Sequence, residues 1–484
     1  ENDFCQRAQA QGWRNLHLLD TFVLHTGGVS FGDSKSPRER AAMDTLARLH
    51  PRYAREVHAF VQADPARPYR LALDMARIQA NALPVVLAVL HDRSGGTLRH
   101  VRELAEHMQG QAQFLTLTPA PGHSVLLRMA AKTEGFELAF RLADQWDDLL
   151  AVLRALGVCH VHYHHLLGHG QQVRDLPALL GLAYDFTAHD YYSYCTHISM
   201  TGTSGRFEGE IAPGQCHCCA PDMPAPQEAA NAATVAQWRE ANARLLNGAR
   251  QVLAPSHDAA RRIAAFAPGA KVLAVPHTDI AAGAALPQPA PQPLAGSRPL
   301  KIVVIGALSV IKGADLLEAT ALQAAQQGAA LEFHLLGYCY RHLQTQPRAR
   351  LTVHGEYQDE DLPGLLAWLQ PDLVWFPALW PETYSYTLSA VLQAGLPVAV
   401  PDLGAFAERV VGRPWSWVCQ WDQGASQWVD FFSRLRTDHF ITGQPPTPPT
   451  ARPTQGDATT WNYRNDYLVG LAPAQAANTP LPSA

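Results

Sequence analysis

The chain has 484 residues, of which 47% are hydrophobic and 17% are charged, and its formal net charge is −5. This length and composition are typical of a globular protein with about two to four domains. The weak negative charge argues against a nucleic-acid partner, and no apolar run approaches the roughly 18 residues that a membrane span needs.

Residues 1–80 differ in pattern from the rest of the chain. They begin with ENDFCQRAQAQGWRN and continue to DTFVLHTGGVSFGDSK, followed by a helical pattern that breaks between Pro65 and Pro68. The opening resembles the closing part of a family 2 glycosyltransferase domain of the GT-A fold. The resemblance implies a remnant of an upstream GT-A domain with a helical bridge, in which Asp3 is the base and His25 a metal ligand. The alternative, which we favour, is a helical extension without chemistry.

Residues 81–285 carry an alternating pattern of apolar runs and helical stretches. Alternation of this kind predicts a parallel sheet with helices on both faces. The predicted strands are 84–90, 113–119, 159–166, 182–190, 251–256 and 271–277. Gly95 and Gly96 follow the first strand and precede a helix, where the backbone can approach a ligand closely. This loop is predicted either to line a ligand cleft or to form a plain tight turn.

Histidines are frequent in this predicted domain. His189 and Asp190 follow a strand, at the position where α/β proteins bind ligands. His189 is a candidate to contact a transferred sugar, and Asp190 is a candidate to orient it. The alternative is a histidine at the strand end that is hydrogen-bonded to the backbone. In the run HVHYHHLLGHG, strand alternation places His160, His162 and His164 on one face. Because no acidic residue lies among them, we predict cleft or core histidines rather than a metal site.

The chain has 8 cysteines, which is sparse and fits a reducing cytoplasm. A cluster stands out, because Cys216 and Cys219 form a CxxC motif and Cys195 lies upstream. Thiolates at such spacing can hold a structural zinc ion. The alternatives are unmodified thiols or a disulfide bond, since a strong zinc motif has two such pairs.

A second α/β pattern covers residues 299–442, after a linker rich in Pro, Ala and Gly at 280–297. Its predicted strands are 301–306, 331–337, 351–357, 372–377 and 396–401. The most informative stretch is WPETYSYTLSAVLQAGLPV, residues 380–398, which predicts an acidic loop, a helix and a strand. Free amides at a helix N-terminus suit a phosphate, and a carboxylate beside them suits hydroxyls. This pairing suggests a nucleotide-sugar site.

The same stretch resembles the donor-binding signature of family 4 glycosyltransferases of the GT-B fold. Glu382 matches the first Glu of that pattern, and Gly395, Pro397 and Val398 match its end. Ala390 stands where the family has a second Glu that contacts the ribose. The resemblance implies that Glu382 holds sugar hydroxyls and that the amides around Thr383, Tyr384, Ser385 and Thr387 hold the diphosphate.

Two flanking segments extend the resemblance. VVIGALSVIKGADLL resembles the family's diphosphate segment, with Gly306, Lys312 and Gly313 in matching positions and Ala307 in place of an Arg. DLGAFAERV resembles the element after the donor helix. There Gly404 is implied to let amides meet the nucleotide, and Glu408 either takes ribose hydroxyls or is a helix-face charge. Residues 443–484 are predicted to be a Pro-rich tail with a short terminal helix.

Together these segments predict an α/β protein of the GT-B type, with two Rossmann-like parallel-sheet domains facing a cleft and a helical N-terminal extension. The implied activity is transfer of a sugar from a UDP-, GDP- or dTDP-sugar to a saccharide or lipid-linked saccharide, with retention, in bacterial surface-polysaccharide synthesis. No cofactor beyond the donor is expected. The alternatives are a non-catalytic module that binds glycan or a partner, and a nucleotide-sugar epimerase. The expected location is the cytoplasm, with peripheral membrane association left open.

Overall fold

The computed structural model describes residues 2–16, 18, 21, 35–131, 136–195, 197–201, 204–210, 235–281, 283–450 and 461–471. The described chain divides into two units, the first ending at Ala82 and the second beginning at Leu83. None of the helices in these described ranges has the length and apolar composition required to cross a bilayer.

The described residues of the first unit form four helices. These are α1 (Asn2–Ala10), α2 (Lys35–Leu49), α3 (Tyr53–Ala63) and α4 (Arg67–Ala80). The predicted break is present, because Asp64 adopts a left-handed conformation and its amide closes α3 on Phe60 O at 2.8 Å. Asp3 pairs with Arg7 at 3.0 Å and with His50 at 2.8 Å, while His25 lies outside the described residues. The helical extension is confirmed, and the GT-A remnant stays a prediction.

The second unit begins with a sheet that has eight strands in the described ranges. They are β1 (Val85–Val89), β2 (Gln113–Ala120), β3 (Ser124–Met129), β4 (Glu137–Arg141), β5 (Val158–Tyr163), β6 (Tyr184–Thr187), β7 (Val252–Ala254) and β8 (Val272–Ala274). The helices between and beside them are α5 (Gly96–His107), α6 (Trp146–Ala155), α7 (Leu176–Leu180), α8 (Val235–Gly248) and α9 (His257–Phe266). All five residues of β1 are buried, as expected for a strand covered on both faces.

The strand order is β4-β3-β2-β1-β5-β6-β7-β8, and the run from β2 to β8 is parallel. The expectation of a wholly parallel sheet is corrected by β3 and β4, which add antiparallel strands at one edge. The link from β2 to β3 is too short for a crossover, and Gly122 and His123 reverse the chain with positive φ angles of 73° and 51°.

The described residues from 300 to 419 form a second sheet of six strands, all parallel to their neighbours. The strands are β9 (Leu300–Ile305), β10 (Leu331–Leu336), β11 (Leu351–Val353), β12 (Leu373–Trp375), β13 (Val398–Pro401) and β14 (Ser416–Cys419). The helices are α10 (Ala314–Gln326), α11 (Leu362–Leu369), α12 (Tyr386–Gln393) and α13 (Ala425–Leu435). The order β11-β10-β9-β12-β13-β14 reverses between β9 and β12, where doubly wound sheets open a ligand crevice.

The chain crosses between the two sheets twice. The first crossing contains Leu294, whose amide donates to Phe440 O at 2.8 Å on the returning segment. After the return, α14 (Tyr463–Asp466) packs on the first sheet, and Tyr467 lies in a core cluster with Val86 and Phe114. The predicted pair of Rossmann-like domains facing a cleft is thereby confirmed.

Candidate functional site

A cleft of about 650 Å³ opens where the carboxyl ends of the two sheets face each other. This is the edge at which doubly wound sheets bind ligands. The predicted site residues that line it are Gly95, Gly96, His189, Gly306, Lys312, Glu382, Thr383, Tyr384, Ser385 and Thr387. Residues from both domains are thus brought to one cleft. Gly313, Gly404 and Glu408 lie behind this lining.

Glu382 and Lys312 face each other on the second-domain wall. The Lys312 Nζ lies 3.8 Å from Glu382 Oε1, and the two side chains are 45% and 16% exposed. Burial raises the pKa of the Glu382 carboxyl, while Lys312 and Arg409 act in the opposite direction. Lys312 ends a short 3₁₀ turn after β9, and Glu382 lies in the loop that leads from β12 to α12. The ammonium of Lys312 and the carboxylate of Glu382 therefore lie together beside the N-terminus of α12.

The N-terminus of α12 points into this corner. Ser385 caps the helix, because its Oγ accepts from Leu388 N at 3.2 Å. The amides of Tyr386 and Thr387 belong to the first turn, which has no partner within the helix. Arg409 donates to Ser385 O at 2.7 Å and so adds positive charge beside this turn. The arrangement suits an anion, since the dipole and the amides act together.

Two of the predicted glycines support the wall from behind. A Cβ on Gly404 would lie 2.6 Å from both N and O of Glu382, and a Cβ on Gly313 would lie 2.2 Å from Pro377 O. Both residues also have positive φ angles, 68° and 82°. Because Gly404 has no side chain, the backbone of the Glu382 loop can pack directly against it. Neither glycine lines the cleft.

We expect Gly404→Ala to displace the Glu382 loop and to weaken, about tenfold or more, the nucleotide-sugar binding that the sequence predicts for this site. The left-handed backbone costs an alanine about 1–2 kcal/mol, and the contact with the Glu382 backbone adds to this cost. Gly412→Ala is the matched control, because Gly412 also has a positive φ, 72°, and a Cβ at this position would have no other atom within 4 Å. Calorimetric titration of both variants measures the effect. Equal binding by the two variants would contradict the packing role of Gly404.

Glu408 has a different position from the one predicted. Its carboxylate accepts from the amides of His257 and Asp258 at 2.9 and 3.2 Å, and so caps α9 of the first domain. Burial raises its pKa to about 7, against the opposing effect of these two amides. The structure thus gives Glu408 a contact between the domains, outside the cleft lining. The sequence had no signal for this cap, since its partners lie about 150 residues away.

The first domain contributes the opposite wall. Gly95 begins α5 with a φ of 133°, and a Cβ on Gly96 would lie 3.5 Å from the Tyr386 ring. Arg99 stacks over the same ring at 4.3 Å and pairs with Asp359 at 3.1 Å across the cleft. Arg99 was not predicted as a site residue, although it lies in α5 one helical turn after the Gly95–Gly96 loop.

The loop before α12 is fixed to the first domain by two further hydrogen bonds. Thr383 Oγ1 donates to His189 O at 2.5 Å, and Tyr384 OH donates to Asp279 Oδ1 at 2.6 Å. Arg409 also lies over the Tyr384 ring at 4.1 Å. Sequence reasoning missed Asp279, because nothing in the local pattern distinguishes it from an ordinary loop acid. It also missed Arg409, whose only signal was its place next to Glu408.

His189 lines the cleft, but Asp190 is not the residue that orients its ring. His189 Nε2 lies 3.1 Å from His164 Nδ1, whereas Asp190 Oδ2 pairs with His165 Nε2 at 3.1 Å. Burial acts to raise the pKa of Asp190, but His165, the Tyr192 amide and His91 together lower it. The expectation that Asp190 positions His189 is therefore corrected.

The other histidines of the run are core residues. His160 Nε2 lies 3.1 Å from Asp185 Oδ2, and His162 contacts Tyr467 OH and Thr187 Oγ1 at 2.7 and 2.8 Å. Their shared face, predicted from strand alternation, is seen in the ring contacts from His160 to His162 and on to His164. Cys195 is buried, while Cys216 and Cys219 lie outside the described residues. The zinc prediction for these cysteines stays untested.

No protein-family model matches the chain, and no curated protein matches its sequence. Solved structures with a similar fold include Anabaena Alr3699/HepE in complex with UDP-glucose, at 12% identity and a TM-score of 0.44, over 73% of this chain and 90% of that one. Sucrose-phosphate synthase from Thermosynechococcus elongatus matches at 14% identity and 0.45, over 74% and 90%. The pneumococcal O-GlcNAc transferase GtfA, in complex with UDP and GlcNAc, matches at 7% identity and 0.45, over 74% and 93%. Likeness at this level assigns no activity to the chain.

Proposed function

We propose that this chain is a glycosyltransferase that moves a sugar from a nucleotide-diphosphate donor to a saccharide acceptor. The observation that carries the proposal is the corner formed by Glu382, Lys312 and the N-terminus of α12. There a carboxylate and an ammonium lie 3.8 Å apart beside free helix amides, in a cleft between two Rossmann-like domains. Hydroxyls and a diphosphate are the two chemical groups that such a corner binds together.

The diphosphate is held by Lys312 and the first amides of α12. Negative charge builds on the leaving phosphate as the glycosidic bond breaks, and preorganised donors lower the free energy of that state. Among the described residues, Arg99 and Lys312 are the Arg and Lys side chains that line the cleft. Arg99 already pairs with Glu103 at 2.7 Å and with Asp359, so Lys312 is the cation with fewer competing partners.

The sugar is held by Glu382, whose carboxylate accepts hydrogen bonds from ring hydroxyls. His189 lies on the same cleft and contacts the sugar from the first-domain side. Its position is tied to the donor loop, because Thr383 donates to the His189 carbonyl. The hydrogen bond from Thr383 to the His189 carbonyl therefore links the two domains beside the proposed sugar site.

Transfer proceeds with retention of the anomeric configuration by a front-face route. The acceptor oxygen bonds to the anomeric carbon on the face from which the phosphate departs. The bond from that carbon to the phosphate oxygen breaks, and the acceptor proton passes to the departing phosphate. Lys312 and the α12 amides carry the charge of this step. The acceptor is a saccharide or a lipid-linked saccharide of a bacterial surface polysaccharide, made on the cytoplasmic side of the membrane.

One observation favours a second candidate, a module that binds nucleotide or glycan without turnover. Ala307 lines the cleft where the resembled family has an arginine, and Ala390 stands in α12 in place of a ribose-binding glutamate. Both changes remove charged contacts to the donor. An epimerase that uses the same donor differs from both candidates in its product.

The test is calorimetric titration of the purified chain with UDP, GDP and dTDP and with their sugars. We expect one nucleotide to bind, and Glu382→Ala to weaken its sugar conjugate more than the free nucleotide. Glu356→Ala is the matched control, since Glu356 is an exposed acid outside the cleft lining. Binding followed by transfer, with the product anomer identified by NMR, supports the proposal. Binding without turnover supports the second candidate. Binding of none of the three contradicts the proposed transfer and favours a module that binds glycan.

A further inference from the structure

Three histidines from three separate elements meet beside the cleft. His100 belongs to α5, His164 follows β5 and His189 follows β6. One nitrogen of each lies within 4.8 Å of the other two. His100 and His164 are buried, and His189 reaches the cleft wall. The group thus extends from the buried rings of His100 and His164 to the cleft, which His189 lines.

Several nitrogens in this group lack a hydrogen-bond partner among the described residues. They are Nδ1 and Nε2 of His100 and Nε2 of His164, and the neighbouring His277 has the same property at Nδ1. Buried polar atoms are nearly always paired. His162, on the same strand as the nearby His160, shows the usual case with partners on both nitrogens. Within the part of the chain that the structure describes, both nitrogens of His160 also lack a well-aligned hydrogen bond, so the feature is not confined to this group. What it shows here is that His100 can bind a ligand through either nitrogen without losing a hydrogen bond.

The protonation state of the three rings suits a metal. Burial lowers the pKa of His100 to about 3, and burial also holds the pKa values of His164 and His189 well below the usual range. The rings are thus neutral at physiological pH, which is the form that ligates. Without a ligand, the group is held by one hydrogen bond, between His164 Nδ1 and His189 Nε2 at 3.1 Å, and by packing, such as the 4.1 Å contact between the rings of His100 and His277.

The spacing is close to that of a metal site. Ligand nitrogens of a tetrahedral zinc lie about 3.3 Å apart at the usual Zn–N length. His164 Nδ1 and His189 Nε2 are already 3.1 Å apart. The widest pair, within 4.8 Å, has to close by no more than about 1.5 Å to reach that spacing. A set of imidazoles without a carboxylate selects zinc and its neighbours over magnesium or calcium.

We propose that His100, His164 and His189 form a binding site for a divalent metal ion of the zinc class. His277 is a further imidazole beside the group, with its ring 4.1 Å from that of His100, and His189 lines the cleft. Binding would join α5 to the ends of β5 and β6 and would fix the ring of His189. The proposal stands independently of the proposed glycosyl transfer.

The test is titration of the chelator-treated chain with Co²⁺, a visible reporter for zinc sites, in the background Cys216→Ser with Cys219→Ser. This background removes the two thiols of the CxxC motif, and thiolate coordination by the remaining cysteines would be recognised by its charge-transfer bands. We expect one equivalent of Co²⁺ with the d–d bands of a tetrahedral nitrogen site, displaced by one equivalent of Zn²⁺. Absence of these bands overturns the proposal.

The histidine variants then locate the ion. His100→Gln should weaken Co²⁺ binding about tenfold or more, and His189→Gln, at the cleft wall, repeats the test if the buried variant fails to fold. His107→Gln, on the same helix, and His354→Gln, in a pair with His334 at 3.0 Å, should leave binding unchanged. Unchanged binding in both His100→Gln and His189→Gln overturns the assignment.

Discussion

Glu382→Gln should reduce sugar transfer about 100-fold or more while leaving the affinity for the free nucleotide within a few-fold. Each hydrogen bond to a charged group contributes about 1.5–3 kcal/mol, and the carboxylate is proposed to hold sugar hydroxyls. The amide keeps the shape of the side chain but not its charge. Initial rates with the donor selected by calorimetry, together with the Kd of the nucleotide, measure the two effects.

The pH dependence of the transfer rate, compared between the wild type and Glu382→Gln, tests the same role of the carboxylate. Burial raises the pKa of Glu382, so its proton is retained to a higher pH than for an exposed glutamate. Activity should fall on the acidic side as the carboxylate is protonated, and this limb should disappear in Glu382→Gln. Glu356→Gln, at an exposed position, should keep both the rate and the limb. A Glu382→Gln enzyme with the wild-type rate would contradict the role given to the carboxylate.

Lys312→Met should lower kcat/KM about 100-fold or more, because the methionine removes the charge that stabilises the leaving diphosphate. Lys312→Arg should recover part of the rate, since it restores the charge with a different geometry. The effect on nucleotide binding should shrink at high ionic strength, where a half-exposed charge is screened. The Kd of the nucleotide diphosphate, measured across a salt series, provides this readout.

Lys271→Met is the control for that series. Lys271 is an exposed lysine before β8, outside the cleft lining, and its loss removes the same unit of charge from the protein. If Lys271→Met and Lys312→Met change the nucleotide affinity equally, the effect is one of net charge, and Lys312 has no special contact with the diphosphate.

The apolar runs predicted the central strands because buried parallel strands have a continuous apolar signal. β1, β9 and β13 lie within one or two residues of the predicted bounds. β3 and β4 were not predicted. Edge strands alternate buried and exposed residues, as β4 does, and so lack a continuous apolar run. The turn between β2 and β3 is also too short to mark where β2 ends. β14 was missed because its four residues follow a loop with no helix before it.

The site was predictable only where it is local in sequence. Glu382 and the N-terminus of α12 lie within a few residues of each other, so their pairing was visible in the sequence. The contacts of Asp279 with Tyr384, and of Glu408 with α9, join residues more than 100 positions apart. The group of His100, His164 and His189 was likewise not visible in the sequence, because only the strand order brings its members together.

The two crossings between the sheets constrain how the cleft can open. Leu294 on the outgoing crossing is hydrogen-bonded to Phe440 on the return, and a Cβ on Gly443 would lie 3.0 Å from Pro293. Leu294 and Phe440 both belong to the core cluster of the second domain, so the two segments run side by side on that domain. Two connections between the domains allow fewer relative motions than one would. Opening of the cleft would break the Glu408 cap and the Arg99–Asp359 pair.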